Sequence, residues 1–82
     1  MPRIRATAAE VTNRNTQAMF DYGMTKENLD FEEIGKYINR DKRTVQKKRQ
    51  HPETFTLSDI RGFVKLAKFS DEDVLKFVLG RQ

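Results

Sequence analysis

The sequence has no cysteine, no tryptophan and a single histidine, His51. Without cysteine there is neither a disulfide framework nor a thiolate zinc site, and one imidazole cannot build a metal centre alone. Catalytic groupings are missing as well. No nucleophile is accompanied by a histidine base, and no glycine-rich phosphate loop is written. The acids at Asp30, Glu32 and Glu33, and at Asp71, Glu72 and Asp73, read as helix-start acids favoured by the helix dipole. Neither an enzyme nor a cofactor is therefore expected. Two prolines and four glycines are too few for a linker-rich chain, and 82 residues give room for one domain of modest stability. No apolar run approaches the roughly 18 residues that span a bilayer. The basic start Met1-Pro2-Arg3-Ile4-Arg5 is not followed by the apolar core of a signal peptide. A cytoplasmic protein in a reducing setting, with no membrane partner, is the expectation.

What is present is positive charge in one place. The chain carries a net +4, from 16 Lys and Arg against 12 Asp and Glu. Between Arg40 and Gln50 stand Arg40, Lys42, Arg43, Lys47, Lys48 and Arg49 against Asp41 alone. That segment is +5, so the remainder is −1, and the excess charge is the footprint of a polyanion-binding element. A solvated helix face is the plain alternative.

Apolar residues recur at helical spacing, and strand signals are weak. Three helix starts carry a cap, an acid three residues on and a flanking apolar pair. They are Leu29-Asp30-Phe31-Glu32-Glu33-Ile34, Phe55-Thr56-Leu57-Ser58-Asp59-Ile60 and Phe69-Ser70-Asp71-Glu72-Asp73-Val74. A fourth start, capped by Asp41, has Arg40 and Val45 at the staple positions and Lys42 and Arg43 in its first turn. The dipole disfavours those cations, so the helix is not designed for its own stability, but its N-terminus suits phosphates. The first helix is expected to begin at Ala8 or Thr12 and end at Tyr22, with Gly23 as its C-cap and Met24 after it. Helices are thus placed at about 12–22, 31–38, 42–50, 57–68 and 71–79, an all-α, compact five-helix bundle over 8–82. Residues 1–7 form a basic arm, in which Arg3 and Arg5 either enter a neighbouring groove or belong to a disordered tail.

The central segment, Phe31 to Gln50, reads FEEIGKYINRDKRTVQKKRQ. Two short helices joined by Asn39-Arg40-Asp41 must cross sharply. Ile34, Ile38 and Val45 are spaced to pack them together, Gly35 allows close approach, and Asn39 tolerates a left-handed exit. This segment resembles the helix-turn-helix of the lambda-repressor-like (Cro-type) family of phage and bacterial regulators. The resemblance rests on Gly35, Asn39 and Val45. It extends through PETFTLSDIRGFVKLAKFSDEDVL, which looks like that family's fourth and fifth helices. Phe31 replaces a common glutamine, Asn39 a common glycine, and Lys48 stands where the family is often apolar. The resemblance implies a five-helix DNA-binding domain that acts as a dimeric transcriptional repressor on double-stranded DNA.

With Val45 inward, the opposite face carries Lys42, Arg43, Gln46, Lys47 and Gln50. Gln46, Lys47 and Arg43 are expected to read bases in the major groove, and Lys42, Thr44 and Arg49 to hold phosphates. Gln50 shares the stripe of Gln46. Lys48 is expected to lay its stem on the core and send its charge outward. Tyr37 either bonds a phosphate or packs half-buried. His51 only begins a loop.

Ile60, Val64 and Ala67 are expected on the inner face of the fourth helix, and Val74, Leu75, Val78 and Leu79 on that of the fifth. Phe63, Leu66 and Phe77 are then left over. They either complete the core or mark a homodimer surface through the C-terminal helices, which would suit a palindromic operator. Two other functions stay open. The chain could be a protein-interaction module on the same fold, an antirepressor or an inhibitor of a host protein. RNA binding is the other, although the aromatic residues fall at core and staple positions and do not alternate with the basic cluster.

Overall fold

The computed structural model describes residues 8–81, and the basic arm read over residues 1–7 lies outside the described residues. Five helices follow one another: α1 (Ala8–Lys26), α2 (Phe31–Ile38), α3 (Lys42–Gln50), α4 (Leu57–Leu66) and α5 (Asp71–Leu79). A 3-10 turn, Pro52–Thr54, sits between α3 and α4. Among the described residues there is no strand. No helix there is long and apolar enough to cross a membrane. The all-α, compact five-helix arrangement is the one read from the sequence.

The helix starts follow their side chains. Asp30 accepts from the Glu33 amide at 2.8 Å and Asp41 from the Thr44 amide at 2.7 Å. Thr56 with Asp59, and Ser70 with Asp73, form complete capping boxes in which each acid returns a bond to its cap's amide. Each such cap is worth about 1 kcal/mol.

The helix ends show a different rule. Asn28, Asn39, Lys68 and Gly80 take positive φ of 52°, 60°, 55° and 64°. The amide of the residue after each bonds a carbonyl five residues back: Leu29 to Met24, Arg40 to Gly35, Phe69 to Val64 and Arg81 to Lys76. These left-handed exits satisfy carbonyls that have no partner within the helix. The expected end of α1 at Tyr22 is therefore corrected. Gly23 is buried inside the helix, and α1 closes at Asn28. A Cβ on Gly23 would stand 2.8 Å from Phe69 Cζ and 2.9 Å from Phe63 Cζ, so the glycine makes room for two rings. The expected end of α4 at residue 68 moves back too, because Lys68 has already left the helix.

All six phenylalanines meet in one cluster. Phe20, fully buried on α1, lies 4.3 Å from Phe63, 5.6 Å from Phe55 and 6.5 Å from both Phe31 and Phe77. Phe69 closes the group at 5.6 Å from Phe63 and 6.0 Å from Phe77. Ile34, Val45 and Ala67 complete the buried set. Around this centre α5 lies along α1, tied by Thr16 Oγ1 donating to the Phe77 carbonyl at 2.9 Å and Asn15 Nδ2 to the Gly80 carbonyl at 2.8 Å. On the other side α2 packs on α3 and α4.

The expected face of α4 holds in part, with Ala67 buried and Ile60 and Val64 packed on the core, and that of α5 is reversed. On α4, Phe63 and Ala67 are buried while Ile60, Val64 and Leu66 pack around them half-buried. On α5, Phe77 points inward at 1% exposure, and Leu75, Val78 and Leu79 are exposed. Phe63 and Phe77 are thus core and cannot form a dimer surface, and Leu66 is half-buried against the same core. The reason is size. A central Phe20 needs large rings around it, and Phe63 and Phe77 reach it where valine or leucine would leave a void.

Candidate nucleic-acid interface

The α2–α3 turn sets the direction of the basic helix. Asn39 is left-handed at φ 60° and ψ 47°. The Gly35 carbonyl accepts the amides of both Asn39 and Arg40. The chain passes so close to α2 that a Cβ on Gly35 would meet the Arg40 carbonyl oxygen at 2.5 Å. Ile34 and Val45, both 0% exposed, lock the two helices, with Ile38 half-buried beside them.

With Val45 fixed inward, the wheel of α3 sorts its side chains by direction. Arg43, Gln46, Lys47 and Gln50 are exposed on the far side, and Lys42 is exposed at the helix start. Thr44 is half-buried, and its amide and side chain both bond Asp41. Those hydrogen bonds, the backbone one foremost, hold the Asp41 carboxyl below its usual value, with help from the nearby Arg43 and Lys47 charges.

The inward cations are spoken for. Arg49 stands four residues after Val45, and its guanidinium grips Asp21 of α1 through Nε at 2.7 Å and Nη2 at 2.6 Å. Its backbone carbonyl also accepts from Gln17 Nε2 at 2.9 Å. The hydrogen bond to Asp21 raises the Arg49 pKa above its ordinary value against the opposing effect of burial. The expected phosphate role of Arg49 is therefore corrected, because its fork is occupied by a carboxylate of its own chain. Lys48, three residues after Val45, is corrected as well. Its ammonium turns inward rather than out, reaching Asp59 Oδ2 at 3.0 Å and the Thr54 carbonyl at 2.8 Å, with its side chain 12% exposed.

Sequence reasoning placed Asp59 in the α4 capping box but missed its pairing with two cations of the basic segment. Asp59 caps α4 in return for Thr56, is 1% exposed, and also receives Arg40 Nε at 3.1 Å. One carboxylate so joins the turn, α3 and the start of α4. Burial acts to raise its pKa, but the Thr56 amide, Lys48, Arg40 and the Thr56 hydroxyl outweigh it and bring the value down to about 2. The signal available in the sequence was the inward spacing of Lys48 from Val45, which demands an acid somewhere in the fold.

Of six cations in the basic segment, Arg40, Lys48 and Arg49 are thus held by Asp59 and Asp21. Lys42, Arg43 and Lys47 make no ion pair among the described residues. Tyr37 is 52% exposed, with the side of its ring near Gly62 of α4. Phe31, where the resembling family often has glutamine, belongs to the phenylalanine cluster. His51 ends α3, its amide bonding the Lys47 carbonyl. No aromatic ring joins the outward row of α3. No family model, no curated protein and no solved structure matches this chain.

Proposed function

We propose that the chain binds double-stranded DNA through α2 and α3, with α3 in the major groove, and acts as a dimeric transcriptional repressor of the phage or mobile-element kind. One observation carries this reading. The inward charges of α3 are neutralised within the fold, and the outward row alternates cations and amides that make no ion pair or side-chain hydrogen bond among the described residues. Such a row suits a groove walled by phosphates and floored by base edges.

Arg43 and Lys47 can donate to guanine O6 and N7, and Gln46 can bond adenine in a bidentate manner. Gln50 lies one turn on, along the same stripe. Lys42, beside the exposed start of α3, suits a phosphate. Thr44 is a lesser candidate, since Asp41 already engages it.

A mobility-shift titration of random duplex against salt tests the reading. Three free cations on α3 contribute a slope of about −3 in log affinity against log salt for each bound protomer. Affinity that is absent at low salt, or flat with salt, refutes the proposal. Selection of bound sequences from a random duplex pool then gives the site and its symmetry.

A further inference from the structure

Asp59 and Asp21 both hold cations of the basic segment, but they are built differently. Asp59 is buried and closes a capping box, so it belongs to the fold. Asp21 stands in the middle of α1 with its side chain 46% exposed, against 31% for its partner Arg49. Both of its carboxylate oxygens accept from the guanidinium. Together with Thr25, Asn28 and Phe31, the pair lines an open hollow of about 480 Å³, so an anion from outside can reach the arginine. α3 keeps other fastenings without the pair. Val45 is in the core, Lys48 is on Asp59, and Gln17 bonds the Arg49 carbonyl.

Arg49 also stands beside the outward row. It follows Lys42 by seven residues and Gln46 by three, which places it about 20° and about 60° from them around α3. An arginine released at that position extends along the flank of the row, where the phosphates bordering a groove would lie.

We propose that Asp21 competes with DNA phosphate for Arg49: by occupying the guanidinium it withholds a fourth cation from the α3 interface and restrains the affinity of the domain. This inference rests on the DNA reading above. The withheld contact is to the backbone and not to a base. Asp21 therefore lowers affinity for every duplex by the same factor and leaves sequence preference alone.

Mobility-shift titrations against salt, with random duplex as the probe, test the competition. Asp21→Asn should steepen the slope per protomer from about −3 to about −4 and tighten binding about eightfold at about 0.1 M salt. Asp21→Ser, too short to reach the guanidinium, should do the same. Arg49→Ala and the double variant Asp21→Asn with Arg49→Ala should both keep a slope of about −3, because the added contact is made by Arg49 itself. Asp21→Asn and Asp21→Ser with the wild-type slope overturn the proposal while the salt dependence of the wild type leaves the DNA reading standing. A double variant as steep as Asp21→Asn also overturns it, since the gain would then come from relieved repulsion alone. Wild-type affinity that is flat with salt removes the DNA reading, and the competition with it.

Discussion

Replacing Asp59 with asparagine keeps its shape and removes its charge, and the structure gives two independent ways to size the effect. The carboxylate is buried and meets Lys48, Arg40 and the Thr56 amide within 3.1 Å. Asparagine can still accept from Thr56, so the cap largely survives. The loss concentrates on Lys48, whose ammonium is nearly buried, because the exposed Arg40 can turn to water. Breaking such a buried pair by removing one partner costs about 3–5 kcal/mol, and the surviving cap and the Thr54 carbonyl place this case at the low end. The depressed pKa leads to a similar figure. A carboxyl at about 2 in the fold, against an ordinary 3.8, means that neutralising it costs about 2–3 kcal/mol.

The domain as a whole has on the order of 4–12 kcal/mol, so this is a large fraction. Urea unfolding at pH 7 should show the midpoint of Asp59→Asn lowered by about 2 M, given a slope near 1 kcal/mol per molar for a chain of this size. The pH dependence follows from the direction of the shift. The folded pKa lies below the unfolded one, so on acidification the unfolded chain takes up the proton first. The stabilisation from Asp59 is complete above about pH 5 and is lost as pH falls through about 4 to about 2. The wild type should therefore decline across that window more than Asp59→Asn, and the gap between them should close near pH 2. Equal midpoints at pH 7, or a gap that persists unchanged at pH 2, would refute the reasoning.

Other positions give sharper contrasts. Arg49→Ala should cost about 1 kcal/mol in urea unfolding, as expected for a half-exposed bidentate pair, and should leave the salt slope of DNA binding unchanged. Lys47→Ala should do the reverse, leaving stability within about 0.5 kcal/mol and reducing the slope by about 1. Gly23→Ala gains helix propensity of about 1 kcal/mol but drives a methyl into Phe63 and Phe69, so thermal unfolding should show a net loss of about 1–2 kcal/mol. Asn39→Gly should be neutral or slightly stabilising, whereas Asn39→Ala should cost about 1 kcal/mol, because only the alanine opposes a left-handed backbone.

The helix starts were legible because their signals are local. Asp30, Asp41, Thr56 and Ser70 each bond an amide three residues away, and no distant contact can change that spacing. The exits were less legible because glycine ends a helix only at Gly80, and the habit of reading glycine as a stop fails at the other three. Gly23, Gly35 and Gly62 lie inside helices, where a ring, a carbonyl and Ile38 press on them, while Asn28 and Lys68 make turns that glycine could have made. The face of α5 was ambiguous for a further reason. Leu75 and Leu79 lie on the side opposite Phe77, and periodicity records that both sides are apolar without saying which one the core uses. Only the position of Phe20, more than fifty residues earlier, decides it.

The basic segment follows the same logic and explains the build of α3. Its excess charge was visible by counting, but a count does not separate cations that hold the helix from cations that are left over. The partners doing the holding, Asp21 and Asp59, lie on α1 and α4. α3 has no apolar staple, and its first turn opposes the dipole, so on its own it would be a poor helix. Val45, Arg49 and Lys48 compensate by fastening its inward side to three neighbouring elements. Once that side is fastened, Lys42, Arg43, Gln46, Lys47 and Gln50 contribute little to stability and are free to vary without unfolding the domain. If those positions read a sequence, exchanging Gln46 and Gln50 for other polar residues should change which duplex is preferred while unfolding stays within about 0.5 kcal/mol. A loss of stability on such exchange would place the outward row back in the fold and remove the separation on which the DNA reading rests.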